Sequence, residues 1–184
     1  MRMRFSPFLC LSLLAAAGRG SQVPVDLPHS VVEISVHATV GSFVTRLRDF
    51  DVSITASPAD GPVTGAVFRC AFASIKTGDA GRDRDMNDWQ QTDRFPAVMF
   101  TLEGLAPAGD GRAVASGTLS LHGVQRPLRF PVSIGRSRTV MTIDGDAAID
   151  TREYGLPVIR KFMVLRVDPV VRVHVHLEGK VAGP

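Results

Sequence analysis

The stretch "GTLSLHGVQRPLRFPVSI", residues 117 to 134, decides how the rest of the chain is read. Leu119 and Leu121 on one side of a polar, glycine-bearing tip, and Leu128, Phe130, Val132 and Ile134 on the other, recur at every second position. Side chains alternate across a strand, so the pattern predicts two strands joined by a tight turn, one face apolar and the other polar or small. His122 and Gly123 stand at the tip, where turn geometry alone calls for polar residues and glycine. The hairpin holds abundant inward hydrocarbon and almost nothing able to do chemistry.

The same alternation recurs along the chain. Val32, Ile34 and Val36 oppose Glu33, Ser35 and His37; Ala66, Phe68, Cys70 and Phe72 oppose Arg69; Val98, Phe100 and Leu102 follow. Near the end, Val171, Val173, Val175 and Leu177 oppose Arg172, His174, His176 and Glu178. Turn clusters at 57–62 (SPADGP), 106–111 (APAGDG) and 152–157 (REYGLP) separate these runs. Strands at hairpin spacing without long helical crossovers exclude a parallel α/β fold and predict an all-β antiparallel sheet, closed as a sandwich or barrel. One stretch, "GRDRDMNDWQQTDRFP" at 81–96, breaks the pattern. It predicts a short helix from about Asp83 to Gln91 with Met86 and Trp89 facing inward, stopped before Pro96. A second helical turn is expected near Gly41 to Leu47, bringing Phe43, Val44 and Leu47 to the same interior. Short helices over one end of a barrel would form a lid.

Composition is that of one globular domain: 184 residues, 45% hydrophobic and 21% charged. The first residues, "MRMRFSPFLCLSLLAAAGR", combine a basic start, an apolar run and small residues at a cleavage position. That order is a secretory signal peptide, expected over residues 1–20, and the run is too short for a comfortable membrane span. The domain is then expected over residues 23–182. Cleavage removes Arg2, Arg4 and Arg19 and brings the formal charge from +3 to about zero. No basic stripe interleaved with aromatics appears, so no nucleic-acid partner is expected. With Cys10 in the signal peptide, Cys70 stands alone; an exported chain with one thiol has no internal disulfide, and its core must supply the stability.

Candidates for chemistry weigh lightly. His174 and His176 lie two apart on one strand face, but their neighbours Val173 and Val175 face inward, which leaves the imidazoles toward solvent without a third ligand. His29 and Ser30 are adjacent on a strand and point to opposite faces, so they do not form an activated pair. His29 is expected to brace the start of the first strand. The charged cluster Asp79, Arg82, Asp83, Arg84, Asp85 and Asp88 lacks calcium-loop spacing and reads as a salt-bridged helix start; in a functional version Arg82 or Arg84 holds a ligand head group at the barrel mouth. No catalytic residue, metal or cofactor is expected.

Five segments in order carry a family likeness: "DLPHSVVEISV" (26–36), "FASIKTGDAGRDRDM" (72–86), "DRFPAVMFTL" (93–102), "GTLSLHGVQRPLRFPV" (117–132) and "IDTREYG" (149–155). Together they resemble YceI-like proteins over essentially the whole mature chain. The chain departs from many members in having Asp85 three residues after Arg82, where a His is frequent. The resemblance implies a lipocalin-like antiparallel barrel of about eight strands, with one or two short helices over one end. It also implies export to the bacterial periplasm and a polyisoprenoid or other long-chain lipid held in an apolar tunnel. On this reading Phe43, Phe68, Phe72, Met86, Trp89, Phe100, Leu119, Leu121, Phe130 and Tyr154 contact the ligand, with Arg82 and Arg84 at its head group. Small residues inside, Ala66, Cys70 and Gly117, would leave room between the bulky ones. Burying a hydrocarbon chain contributes roughly 25 cal/mol per Å² of apolar surface, so no polar anchor is needed for affinity.

The protein is therefore expected to bind and not to catalyse, without stable membrane insertion, as a monomer or homodimer. Two other classes compete: a ligand-free, stress-related interaction module with a solid core, and a small hydrolase or isomerase with a His or carboxylate inside the barrel.

Overall fold

Alternation of apolar and polar residues becomes sheet in the computed structural model, which describes residues 21–57, 62–161 and 164–181; the expected signal peptide lies outside them. In chain order the elements are β1 (Ser21–Val23), β2 (Val31–Ala38), β3 (Gly41–Leu47), β4 (Asp51–Ala56), β5 (Val63–Ala71), α1 (Ala80–Gln90), β6 (Ala97–Gly109) and β7 (Arg112–Leu121). They continue with β8 (Val124–Ser137), β9 (Val140–Asp150), β10 (Arg160–Lys161), β11 (Leu165–Arg166) and β12 (Val170–Lys180). Ten strands form one antiparallel sheet in the order β1-β4-β5-β6-β7-β8-β9-β12-β2-β3, while β10 and β11 pair separately. The expected all-β, lipocalin-like architecture with a helix over one end is present.

The sheet curls because its first strand reaches both sides. β1 pairs with β4, and the residues after it run onto β12: Val25 bridges Gly179, Asp26 N–H donates to the Glu178 carbonyl at 2.8 Å, and Lys180 N–H donates to the Pro24 carbonyl at 2.8 Å. Close approach there needs glycine, since a Cβ on Gly179 would lie 2.8 Å from Val23 Cγ1. Around this end Val23, Ile54, Ala56, Val63, Met141 and Leu177 pack as a buried cluster.

At the other end the sheet finishes on β3, and the segment around α1 covers what lies beyond. The Thr45 hydroxyl donates to the Lys76 carbonyl, and the Ser74 hydroxyl donates to the Asp49 carbonyl at 3.2 Å. Gly41–Leu47 is this strand and not a helical turn: Phe43, Thr45 and Leu47 pair with Val36, Ile34 and Val32 of β2. Cross-strand pairing and the β-branched Val44 and Thr45 override a helical period. Strand alternation then keeps Phe43 and Leu47 inward and sends Val44 out, 58% exposed.

The helix α1 starts three residues earlier than the sequence suggested. Asp79 caps it, its carboxylate accepting from Arg82 N–H at 2.7 Å, which satisfies a first-turn donor. It ends well before Pro96 because Gln91 adopts a left-handed conformation (φ 54°), its N–H donating to the Asn87 and Asp88 carbonyls.

Candidate functional site

Inside the curled sheet lies a cavity of about 820 Å³, within the roughly 300–1,000 Å³ typical of small-molecule sites. Its walls are the apolar parity positions. Leu119, Leu121, Leu128, Phe130, Val132 and Ile134 of the β7–β8 hairpin face it, together with Phe68 and Cys70 of β5, Phe100 of β6 and the Val171 to Leu177 series of β12. Along the walls small residues stand next to large ones. Gly117 lies opposite Leu128, and a Cβ there would come 2.7 Å from the Phe100 ring and 2.2 Å from the Thr101 carbonyl. Ala115 likewise stands opposite Phe130, whose ring tilts against Phe100 at 5.5 Å.

The lid is built by α1 from one side. Met86 and Trp89, three residues apart on the helix, line the cavity, whereas Gln90 is fully buried and donates to the Phe95 carbonyl at 3.2 Å. A strap formed by residues 157–161 and 164–169, which contain β10 and β11, covers the other side and contributes Val158, Ile159, Leu165 and Val167 to the lining. Trp89 joins the two, its indole N–H donating to the Pro157 carbonyl at 2.8 Å. The strap escaped sequence reading because it has no sustained alternation; its bracketing prolines, Pro157 and Pro169, were the available signal.

Of the ligand contacts expected from sequence, Phe43, Phe68, Phe72, Met86, Trp89, Phe100, Leu119, Leu121 and Phe130 line the cavity. Tyr154 does not. It is buried at 2% exposure behind the wall in the cluster of Val32, Leu47, Phe72 and Leu121, and its carbonyl meets His122 Nδ1 at 3.0 Å. His122 thus does more than turn the chain, since its ring also packs edge-on against Phe95 at 4.6 Å. Arg82 lines the mouth with its guanidinium 4.5 Å above the Phe43 ring, a cation–π contact; Arg84, also on α1, is exposed and outside the lining. Asp85 and Asp88, part of the charged helix start seen in the sequence, also line the mouth, while sequence reading missed Arg160 and Asp168.

Elsewhere several titratable groups are occupied structurally. Asp83 accepts from the Thr77 hydroxyl at 2.6 Å and the Thr77 N–H at 2.9 Å, which hold its carboxyl below the ordinary range. Ser30 donates to the Asp26 carbonyl and accepts from Glu178 N–H, while exposed His29 pairs with the Asp26 carboxylate at 3.1 Å; the two side chains do not act on each other. On the outer face His174 meets Asp146 at 2.9 Å and His176 meets Asp144 at 2.6 Å, across the β9–β12 ladder. Inside, burial pushes the Cys70 thiol up to about 11, so at neutral pH it is a protonated, weakly nucleophilic group. No His is among the described lining residues.

The family model of the YceI-like domain matches residues 24–179. The chain belongs to the YceI-like family. A curated relative, a UPF0312 protein of Shewanella denitrificans, is 30% identical over 124 residues, a segment covering 63% of each chain. Among solved structures this YceI-like chain is similar in fold to Burkholderia cenocepacia BcnA (TM-score 0.72, 22% identity, 84% of this chain and 98% of that one). It is also similar to a polyisoprenoid binding domain from Saccharophagus degradans implicated in plant cell wall breakdown (TM-score 0.69, 21% identity, 89% and 99%). A third neighbour is the YceI protein of Campylobacter jejuni (TM-score 0.64, 16% identity, 74% and 83%). At these identities the structural likeness establishes the fold.

Proposed function

We propose that this YceI-like protein is a periplasmic carrier that sequesters a polyisoprenoid or similar amphiphilic lipid in its cavity, without transforming it. The observation that carries the reading is the roughly 820 Å³ of space whose walls are almost wholly aliphatic and aromatic, with charged side chains confined to the mouth. Each CH₂ moved from water into such a space contributes about 0.8 kcal/mol before ordering costs. A chain of branched five-carbon units therefore gains affinity along its length, and an aqueous solute gains none. Phe43, Phe68, Phe72, Met86, Trp89, Phe100, Leu119, Leu121 and Phe130 are the proposed contacts, and Arg82 the head-group contact. Cys70, held protonated by burial, offers no activated nucleophile. Family membership and the polyisoprenoid binding neighbour support the ligand class. The basic, apolar, small-residue order of residues 1–20 supports export by a cleaved signal peptide, leaving a domain over 23–182.

The test is organic extraction of protein purified from its host periplasm, followed by mass spectrometry of the extract. A lipid series spaced by isoprene units, absent from a control periplasmic protein, is the expected result. An extract without lipid, combined with failure of the purified protein to take up a fluorescent apolar probe, overturns the reading and favours the ligand-free module.

A further inference from the structure

Charge and closure sit at opposite ends of the cavity. The charged residues of its lining, Arg82, Asp85, Asp88, Arg160 and Asp168, stand where α1 and the strap cover it. At the far end Ile54, Val63 and Leu177 line it and also belong to the buried cluster at the β1 seam, with Met141 and Val23 of that cluster outside the lining. β12 runs the whole way between the two ends. At the mouth Val170 N–H donates to the Asp168 carboxylate at 2.9 Å, and at the seam Lys180 N–H donates to the Pro24 carbonyl at 2.8 Å. Burying a polar group without a partner is costly, so an amphiphile keeps its polar end at the mouth and its chain points at Leu177.

The dimensions then set how much chain fits. Val171, Val173, Val175 and Leu177 mark successive levels of the lining along β12, and those six residues of strand rise span roughly 20 Å. The volume of about 820 Å³ spread over that length leaves a channel about 7 Å across. Carbon atoms in contact stand about 4 Å apart, so this width takes one branched chain and not two abreast. An extended isoprene unit adds about 5 Å, from four chain carbons at bonds of about 1.5 Å, so the length takes about four units. At roughly 30 Å³ for each carbon-sized group, the share of one water in the liquid, the volume takes about 27 carbons, or about five units. Strand rise and volume agree.

We propose that the seam cluster acts as a ruler: Leu177 and Ile54 stop the chain, and the cavity selects a single-chain isoprenoid amphiphile of about four to five units, held tail first. This deepens the carrier reading and rests on it. A further unit has two places to go. It presses Leu177 toward Met141, which is 1% exposed and already closely packed, or it stays outside the mouth, where its five carbons forfeit their burial. A diacyl phospholipid brings two chains abreast and does not fit the width.

The test loads purified protein from phosphatidylcholine vesicles carrying an equimolar mixture of prenyl alcohols of three, four, five, seven and nine units, and reads the bound masses by native mass spectrometry. A bilayer holds every length in hydrocarbon, so loading reports fit and not overall hydrophobicity. The four- and five-unit alcohols are expected to dominate, one per protein, with the nine-unit alcohol at least about tenfold lower. Leu177→Ala lowers the floor and Leu177→Phe raises it, so the ratio of five-unit to four-unit alcohol moves about threefold up in the first and about threefold down in the second. Urea unfolding checks that each variant is folded; where Leu177→Ala is not, Leu177→Val, one carbon smaller, shifts the ratio in the same direction. Wild-type protein that loads the nine-unit alcohol as fully as the four-unit one overturns the ruler and leaves the carrier reading standing. So does an unchanged ratio in folded floor variants, or two chains bound at once, including a diacyl phospholipid taken from the vesicles. Failure to take up any of the alcohols or a fluorescent apolar probe removes the carrier reading, and the ruler with it.

Discussion

Ile54 and Met141, each 1% exposed, sit where β1 draws β4 and β12 together, and Val23, Val63 and Leu177 complete the packing around them. At the other end Val40 lies 69% exposed on the lip of a cavity that α1 and the strap cover without filling. Both ends are built from the same alternating strands. They differ in what closes them: a strand in register at one end, and at the other a helix and a strap with an indole hydrogen bond between them. Where a complementary strand meets the apolar face, side chains reach close packing. Where the cover only rests on the rim, volume remains for something that is not protein.

The largest effect expected from breaking this contrast is at the closed end. Met141→Ala removes a side chain enclosed on all sides and is expected to cost about 3 kcal/mol in urea unfolding. Leu128→Ala on the cavity wall, where one side already faces empty space, costs about 1 kcal/mol. Equal losses at the two sites would erase the distinction. Filling the open end has the reverse signature: Val98→Phe, extending from the wall into the cavity, changes stability by less than about 1 kcal/mol while lowering apolar-probe capacity severalfold. A large loss of stability in this variant would mean the wall is already tightly packed.

Trp89→Phe keeps a ring over the cavity and deletes the donor to Pro157. It is expected to cost about 1 kcal/mol and to speed probe release in stopped-flow exchange; unchanged release would mean that helix and strap do not part when the ligand leaves.

The smallest effect lies on the outer face, away from both ends. Asp144, hydrogen-bonded at 2.6 Å, and next Glu178 raise the His176 pKa above its ordinary value. A raised folded value contributes stability that is complete below the unfolded pKa of about 6.5 and is lost as pH climbs through the folded one. His176→Gln is therefore expected to lower the melting temperature slightly near pH 5.5 and to leave it unchanged near pH 9, the difference staying under about 1 kcal/mol for so exposed a pair. A larger deficit at pH 9 would contradict the ion-pair account.

Much of the candidate site was legible because strand parity is a local rule. Phe68, Phe100, Leu119, Leu121 and Phe130, which parity turns inward, line the cavity; Met86 and Trp89 line it by helix phase, and Phe43 from a strand where a helical turn was expected. Tyr154 was misplaced since it follows β9 in a 3-10 turn, where period two no longer says which way a side chain points. Arg82 and Arg84 are indistinguishable by composition, and helix phase separates them: Arg82 lies four residues before Met86, on the cavity face, and Arg84 does not share that face. The Pro157 to Pro169 strap was illegible because its position depends on Thr39 and Trp89, distant partners that no neighbouring residue announces.

The sequence by itself determined that the chain would form antiparallel strands with one apolar face, because alternation of side chains across a strand is dictated by backbone geometry. Only the tertiary structure decided that the apolar faces surround space instead of touching. That outcome is the difference between the volume a curled sheet encloses and the volume its side chains fill, and the enclosed volume depends on strand tilt, stagger and the seam at β1, which belong to all the strands jointly.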